Sequence, residues 1–402
     1  MTTEQNEEER SSAIPWRSGV LYVILTSSLM GVMGVSLISP VLPELRSVFT
    51  VTDAQIGLII TAYTLPGIFL TPFIGLVADR IGRRRVIIPL LFLFGIAGGS
   101  ISVVTSFSDV LILRFLQGVG ASALVMLAVT LIGDFYEGNR RDAVMGFNAS
   151  MVSAGAAFYP LVGGALAGIR WNVPFLFFGI GILIGLFALV ALPEPPGTQS
   201  KDVRSYLTQL REAATHPHAL AIFFAIFLIF FIFYGMIQTA LPLFLDSAFA
   251  LTSGRIGVVL ATVALASAVV SSQYKRISKW RRAPELVALG FGSIGLSLLC
   301  VWLSPSPLLI GLSLLVFGAG FGVIMPSIET TIVTFASDNL RAGMMGLRTS
   351  MIRLGQTVGP VSFTYLGNTV SESPGESYQT LFFLFGSAII VASAIVYGLL
   401  RR

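Results

Sequence analysis

The sequence has little charge, one cysteine and two histidines. Asp, Glu, Lys and Arg make up 11% of its 402 residues, whereas about a quarter of a soluble globular chain is charged. The single Cys300 excludes a disulfide within the chain and a cysteine metal cluster. With only His216 and His218 besides, a zinc centre, a haem site or a histidine-based active site is hard to build. We therefore expect no metal and no cofactor, and we do not expect an enzyme.

Hydrophobic residues are abundant instead, at 54% of the chain. They form blocks of roughly 20 residues, the length that crosses a bilayer as a helix. The pattern predicts an all-α integral membrane protein with twelve transmembrane helices. The predicted spans are Ser18–Leu42, Ala54–Ala78, Arg85–Thr105, Ser108–Gly133, Arg141–Ala167 and Trp171–Leu192, followed by His218–Phe244, Gly254–Tyr274, Pro284–Leu303, Pro307–Phe335, Arg341–Gly367 and Tyr378–Leu400.

The segments outside the spans predict the organisation and orientation of the chain. Its parts are a polar N-terminal tail at 1–17, a six-helix half at 18–192, a central loop at 193–217 and a second six-helix half at 218–402. Among the Lys and Arg residues between the spans and at their ends, Arg46, Arg170 and Arg255 fall on one side, and all the others fall on the side of the termini. Cytoplasmic loops carry the excess of Lys and Arg, so we expect both termini in the cytoplasm of a multi-pass plasma-membrane protein. The net charge of +5 then reflects topology, and no nucleic-acid partner is expected.

The two halves resemble each other at a shift of 200 residues. Gly138–Pro160 aligns with Asp338–Pro360, and identical residues recur along both segments. Halves that repeat in the same topology are related by an axis along the membrane normal, and proteins of this kind bind a solute near the midplane, between the halves. The repeat therefore predicts two pseudo-symmetric halves around a central cavity.

The sharpest local pattern lies in the turn after the second span. Gly75 allows another helix to approach closely, Asp79 is placed to cap the N-terminus of a neighbouring helix, and Gly82 permits a tight reversal. Arg80 and Arg83 hold the turn at the cytoplasmic surface. A plain positively charged turn needs only the arginines, so the glycines and the aspartate indicate a more specific role.

This turn, which reads G-x-x-x-D-R-x-G-R-R from Gly75 to Arg84, resembles a loop motif of the major facilitator superfamily, in its twelve-helix drug:proton antiporter branch. Three further segments resemble motifs of the same family: Ser39–Pro43, Arg114–Gly120 and Gly155–Gly164. Together with the twelve spans, the resemblance covers nearly the whole chain and implies the major facilitator fold.

The sequence also departs from the family pattern. Tyr159 precedes Pro160 where the antiporter motif has a glycine, and the glycine stands instead in the second half, as Gly359 before Pro360. The loop motif does not recur in the second half, where Lys275 takes the place of the aspartate. The family's acidic residue in the first helix is absent, which bears on proton coupling.

The resemblance implies a latch between the halves on the cytoplasmic side. Asp79 is expected to cap the eleventh helix near Asn339–Arg341, and Arg83 is expected to pair with Asp134. These contacts must break in the inward-open state, so the latch is a bistable element. The predicted latch residues are Gly75, Asp79, Arg80, Gly82, Arg83 and Asp134, and the predicted helix-packing motif comprises Gly155, Pro160, Gly163, Gly164, Gly355, Gly359 and Pro360.

Ionisable residues well inside the predicted spans are few: Arg114, Glu329, Arg348 and Arg353. Each costs about 2.5–3.5 kcal/mol on insertion scales, so each is a functional candidate. Glu329 and Arg348 both lie about 10 Å from the inner helix ends, and we expect them to meet, either as a static pair or as a site of proton coupling. The predicted substrate cavity comprises Tyr63, Arg114, Gln117, Asn148, Tyr234, Gln238, Arg353 and Gln356.

The resemblance implies a secondary active transporter, and we expect proton-coupled efflux of small amphipathic organic compounds by alternating access. No G-x-x-x-x-G-K loop is present, which excludes direct use of ATP. Two alternatives stay open: an importer or exchanger of an organic anion whose charge meets Arg114 and Arg353, and a non-transporting membrane sensor on the same fold. The expected partners are a small-molecule substrate, the proton and the lipid bilayer, and the protein is expected to be a monomer.

Overall fold

The computed structural model describes residues 14–195, 208, 217–335, 338–370 and 373–400. All regular secondary structure in these residues is helical, which confirms the all-α fold. The described residues form twelve long helical units, with a further four-residue helix at Tyr274–Ile277. The long units are Gly19–Phe49 (α1), Asp53–Ile81 (α2), Arg83–Val103 (α3), Phe107–Phe135 (α4), Gly138–Ala167 (α5), Val173–Ala191 (α6), Ala219–Phe249 (α7), Ser253–Ser272 (α8), Ala283–Leu303 (α9), Pro307–Phe335 (α10), Asp338–Thr369 (α11) and Pro374–Leu400 (α12). Most of the predicted tail and of the predicted central loop lies outside the described residues.

Within the described residues, eleven units are long and apolar enough to cross a membrane, and α11 is the exception. Its 32 residues are long enough, but they include Arg348 and Arg353. None of the residues from 346 to 364 is exposed, because this stretch packs against α2 and α7. The bundle thus shields α11 from lipid, and polar residues of membrane helices are tolerated in such a position.

The first unit runs beyond its predicted end at Leu42, because a 3-10 turn at Ser39–Val41 joins two α-helices. The turn contains a proline, which has no N–H to continue an α-helix. Just before it, the N–H of Ile38 donates to the carbonyl of Val35 rather than to Gly34, its α-helical partner. The carbonyl of Gly34 is therefore available to a side chain from another helix.

The seventh unit is interrupted by a π-helix at Phe233–Ala240, which sequence analysis did not predict. Here α7 crosses α11 so closely that a β-carbon at Gly235 would collide with the backbone of Gly359. π-Helical turns are rare and occur frequently at functional sites. This one carries Tyr234 and Gln238, both predicted cavity residues.

Units α1–α6 and α7–α12 form two halves with corresponding internal contacts. In the first half α5 crosses α1, with Gly163 against the carbonyl of Leu37; in the second, α11 crosses α7, with Gly359 against the carbonyl of Phe231. A side chain at either glycine would hold the backbones apart. The predicted packing residues Gly155, Gly164 and Gly355 also face neighbouring helices at short distance. The halves themselves meet along α2–α11 and α5–α8.

Candidate functional site

The two faces of the bundle differ in how the halves are joined. Successive units alternate in direction, so one face carries the start of α1 and the end of α12; we call it the termini face, and the opposite one the far face. The candidate site extends between these faces along the contact between the halves, where a transported solute would bind in a protein built from repeated halves.

Four polar residues close the far face, and we call them the far-face network. Arg46 donates to Asp53 at 2.6 Å and to Asp246 at 2.9 Å, and the hydroxyl of Tyr378 donates to the other oxygen of Asp53 at 2.7 Å. Asp53 and Tyr378 are buried. Arg46 and Asp53 belong to the first half, and Asp246 and Tyr378 to the second, so the network ties the halves together.

Sequence analysis assigned no role to this network. Arg46 and Asp246 are 200 residues apart, which is the shift that relates the halves, so they occupy equivalent positions and meet near the pseudo-two-fold axis. Opposite charges at equivalent positions of a repeat are the signal that could have revealed the pair. Tyr378 gives no such signal, because its contact with Asp53 depends on how α12 packs.

Further hydrogen bonds continue the closure from the far face toward the middle of the bundle. Ser39 Oγ donates to the carbonyl of Gln238 at 2.6 Å, which joins α1 to α7. The hydroxyl of Thr64 donates to the carbonyl of Gln356 at 3.3 Å, which joins α2 to α11. Other hydrogen bonds between the halves, which include the one from Thr61 Oγ1 to the carbonyl of Thr357 at 3.0 Å, lie between the far face and the level of Arg353.

Two cavities border the contact between α5 and α8, in which Gly257 faces the carbonyl of Pro160. One, of about 550 Å³, runs along α5 toward the termini face. The other, of about 610 Å³, lies at the far face, with walls that include Glu44, Gly168 and Asp246. Cavities therefore lie on both sides of this contact, and the far face is distinguished by its network of polar contacts between the halves.

Most of the predicted cavity residues lie on α2, α7 and α11, where the halves meet, and Arg353 is central among them. Its Nη1 donates to Gln356 Oε1 at 3.2 Å, and its Nη2 donates to the carbonyl of Ser122, in the other half, at 3.3 Å. Gln238 and Asn148 are buried, and the amide oxygen of Asn148 has no hydrogen-bond partner.

Arg114 and Gln117 lie elsewhere, enclosed within the first half. Both are 0% exposed. Arg114 donates to the carbonyl of Gly34 at 2.8 Å, to the carbonyl of Ile59 at 3.2 Å and to Gln117 Oε1 at 2.8 Å. Its guanidinium lies 4.4 Å from the centre of the Tyr63 ring. The prediction that Arg114 and Gln117 face a solute does not hold in this conformation, because α1, α2 and α4 surround them and each guanidinium nitrogen has an acceptor.

The predicted latch residues lie at the termini face. Gly82, at φ 109°, turns the chain from α2 into α3 in a conformation that favours glycine. The side chain of Arg83 is 5% exposed; its Nη2 donates to Asp79 at 2.8 Å, and its Nε lies 3.3 Å from Asp134. These contacts join α2, α3 and α4 within the first half.

Of the remaining predicted latch contacts, those of Gly75 and Arg80 lie within the described residues, and that of Asp79 with α11 does not. Gly75 faces Met126 of α4, and Arg80 is exposed. The expected contact of Asp79 with Asn339–Arg341 concerns side chains outside the described residues. The described part of the latch therefore holds α3 to its own half.

Glu329 and Arg348 are brought together as an ion pair between α10 and α11, at 2.6 Å. The side chain of Glu329 is 55% exposed and that of Arg348 is 19% exposed. Charged groups inside a membrane protein are costly unless they are paired, so this contact is consistent with a static role as well as with proton coupling.

Comparison with known proteins identifies relatives along most of the chain. The family model described as Major Facilitator Superfamily matches residues 24–360 and 234–402. The chain is 27% identical over 366 residues to the bacillibactin exporter of Bacillus subtilis (strain 168), covering 86% of this chain and 89% of that protein. It is 21% identical over 345 residues to multidrug resistance protein 1 of the same organism, covering 85% and 88%. A solved structure of a bacterial homolog of the human lysosomal transporter Spinster, in an inward-facing and occupied conformation, matches with a TM-score of 0.78 at 19% identity over 97% of this chain and 98% of that one.

Proposed function

Because the chain belongs to the Major Facilitator Superfamily, we propose that it is a secondary active transporter that exports small amphipathic organic compounds by alternating access, driven by proton influx. The bodies that move are the halves 18–192 and 218–402. The exporter among the relatives that span most of the chain supports the direction of transport. The proton, a small organic solute and the bilayer are its partners, and it acts as a monomer.

The observation that carries this proposal is the polar closure between the halves at the far face. The far-face network joins α1 and α2 of one half to α7 and α12 of the other. Alternating access requires that such contacts break at one face when others form at the opposite face. With the termini in the cytoplasm, the far-face network is the closure that must break in the outward-open state.

The proposed orientation can be tested by thiol labelling. Thr105 is exposed in the loop between α3 and α4 at the far face, and Ser278 is exposed between α8 and α9 at the termini face. Each is changed to cysteine alone, in a Cys300→Ala background that has no other thiol. In intact cells we expect an impermeant maleimide to label the Thr105→Cys variant and to spare the Ser278→Cys variant. The reverse pattern would show that the termini face the outside.

The proposed latch predicts a transport defect in Asp79→Asn. The substitution keeps the size of the side chain but removes the charge that binds Arg83, so we expect transport to fall about tenfold at a normal protein level. Asp142→Asn is the matched control, since Asp142 lies near the same face and is 75% exposed beside Arg141. Asp79→Asn transporting as fast as Asp142→Asn would remove Asp79 from the latch.

Proton coupling is tested in proteoliposomes with an imposed proton gradient and a panel of organic compounds. We assign coupling to Glu329, because its carboxylate is accessible and held by Arg348. Glu329→Gln should then abolish accumulation against a gradient and preserve downhill exchange. A static pair predicts instead a lower protein level in Glu329→Gln, with recovery in the Glu329→Gln/Arg348→Gln variant. Active accumulation by well-expressed Glu329→Gln would exclude the coupling role, and no gradient-dependent movement of any compound by the wild type would count against transport itself.

A second candidate function is the import or exchange of an organic anion. It is favoured by the position of Arg353, a cation between the halves whose described hydrogen bonds go to neutral oxygens. Arg114 does not support this candidate in the described conformation, because its guanidinium is buried and already donates hydrogen bonds to the carbonyls of Ile59 and Gly34. The direction of movement in the proteoliposome assay distinguishes this candidate from export.

A further inference from the structure

Arg353 lies where the halves meet, and its charge has no acidic partner among the described residues. Its hydrogen bonds go to the side-chain oxygen of Gln356 at 3.2 Å and to the carbonyl of Ser122 at 3.3 Å. Both distances are at or beyond the long end of the range for N–H···O bonds, and both acceptors are neutral. A guanidinium has five N–H donors, so Arg353 retains the capacity to bind a negatively charged oxygen.

Acidic side chains are scarce at this depth of the bundle. Glu329 is already bound to Arg348 at 2.6 Å. The other described Asp and Glu residues lie at or near the ends of helical units or in the loops. Arg114 adds a second positive charge without an acidic partner in the described structure, 4.4 Å from the Tyr63 ring. The centre of the bundle therefore has a positive potential, and a surface of one sign attracts ligands of the other.

Two tyrosines lie on the helices that pack against Arg353. Tyr63 is one helical turn before Gly67 on α2, where Arg353 packs, and Tyr234 is on the π-helix that contacts α11. The hydroxyl of Tyr63, on a side chain that is 4% exposed, has no hydrogen-bond partner. A phenol hydroxyl donates to an anionic oxygen, as a guanidinium does. On α2, Gly67 leaves room for the arginine, because a β-carbon there would lie 3.0 Å from its side chain.

From this arrangement we infer that the solute carries an anionic oxygen group, such as a carboxylate, phenolate or sulfonate, and that Arg353 binds this group together with Tyr63 and Tyr234. The inference rests on the proposed transport function and names the chemical class of its substrate. The anion replaces the long bond from Arg353 to the carbonyl of Ser122. Because that bond crosses between the halves, binding of the solute changes a contact between the bodies that move.

The test uses three fluorescent probes that share one body and differ in charge: dansylglycine (anionic), dansylglycinamide (neutral) and dansylcadaverine (cationic). Binding is measured to the purified full-length protein in nanodiscs of zwitterionic lipid, with protein-free nanodiscs subtracted. We expect the wild type to bind dansylglycine about tenfold more tightly than either other probe. Arg353→Gln should remove this preference, and Arg353→Lys should retain most of it. Arg170→Gln is the matched control, because it makes the same change at an exposed arginine on the far face, and it should keep the preference.

Several results would overturn the inference. One is a wild type that shows no preference for dansylglycine, including one that binds none of the probes; another is a preference that survives Arg353→Gln in monodisperse protein. If Arg353→Gln does not fold, Tyr63→Phe serves instead: it should weaken dansylglycine binding about threefold to tenfold and leave dansylcadaverine binding unchanged, and equal effects on both probes would contradict the site.

Counterflow of the same probes in proteoliposomes separates this inference from the proposed function. Transport of the cation but not of the anion would overturn only the substrate class, whereas binding of the anion without movement of any probe would overturn only transport.

Discussion

Arg114→Gln is expected to remove most of the folded protein from the membrane. Arg114 is 0% exposed and joins α1, α2 and α4 through the carbonyls of Gly34 and Ile59 and the amide of Gln117. The Gly34 carbonyl lacks its helical donor at the break in α1. Arg114 also places a positive charge at the C-terminal end of the helix Gly19–Ser36, where the helix dipole favours a cation. A glutamine is too short to make these contacts at once.

The energetic cost of this change is large for one side chain. A buried carbonyl left without a donor costs about 1–3 kcal/mol, and the substitution leaves at least the Gly34 carbonyl in this state. The stacking of the guanidinium on Tyr63, at 4.4 Å, is lost as well and contributes about 2 kcal/mol when desolvated. Every 1.4 kcal/mol changes an equilibrium constant about tenfold. We therefore expect the amount of folded Arg114→Gln in the membrane to fall to about a tenth of the wild-type amount or less.

The measurement is fluorescence-detected size exclusion of a tagged protein, before and after heating. Arg353→Gln is the matched control, because it makes the same change at an arginine that is partly accessible and has weaker bonds. Its monodisperse peak should stay within about twofold of the wild type. A stable, abundant Arg114→Gln with altered transport would show that Arg114 faces the solute after all, as predicted from the resemblance of its motif.

Arg46→Gln is expected to open the far face. The substitution leaves Asp53, which is 5% exposed, and Asp246 without the cation that they share. Removing one partner of a buried ion pair costs about 3–5 kcal/mol, and here the cost applies only to the conformation in which the far face is closed. Arg46 is itself 22% exposed, so we take the lower end, about 3 kcal/mol, which corresponds to about a hundredfold shift toward the open far face.

The shift is read by thiol accessibility at Thr364→Cys in the Cys300→Ala background. Thr364 is 0% exposed and lies against Gly57 where α2 meets α11 on the far side, so its replacement reacts only when the halves part there. We expect an impermeant methanethiosulfonate reagent to react at least about tenfold faster in Arg46→Gln. Arg170→Gln is the control, since Arg170 is exposed on the same face. An unchanged reaction rate in Arg46→Gln would mean that the far-face network does not hold the halves together.

The fold class and most of the spans follow from the sequence, because the bilayer sets both the length and the hydrophobicity of a helix that crosses it. The repeat between Gly138–Pro160 and Asp338–Pro360 predicts the two halves, since equivalent segments adopt equivalent folds. The packing glycines were also predictable: Gly163 and Gly359 lie at helix crossings where backbones touch and only a hydrogen side chain fits. These features are local or periodic, so one linear sequence contains them.

The direction in which each polar side chain points was decided by the tertiary structure alone. The motif around Arg114 identifies the arginine, but its acceptor exists because a proline-containing turn breaks α1 and frees the carbonyl of Gly34. The far-face network joins residues up to 325 positions apart, and no periodicity records that Tyr378 reaches Asp53. Composition even argues against α11 as a span, whereas its neighbours in the bundle shield its arginines from lipid. Whether a helix spans the membrane depends mainly on how that helix meets the bilayer. A binding site depends on which helices face one another, and only the packed bundle determines which helices do so.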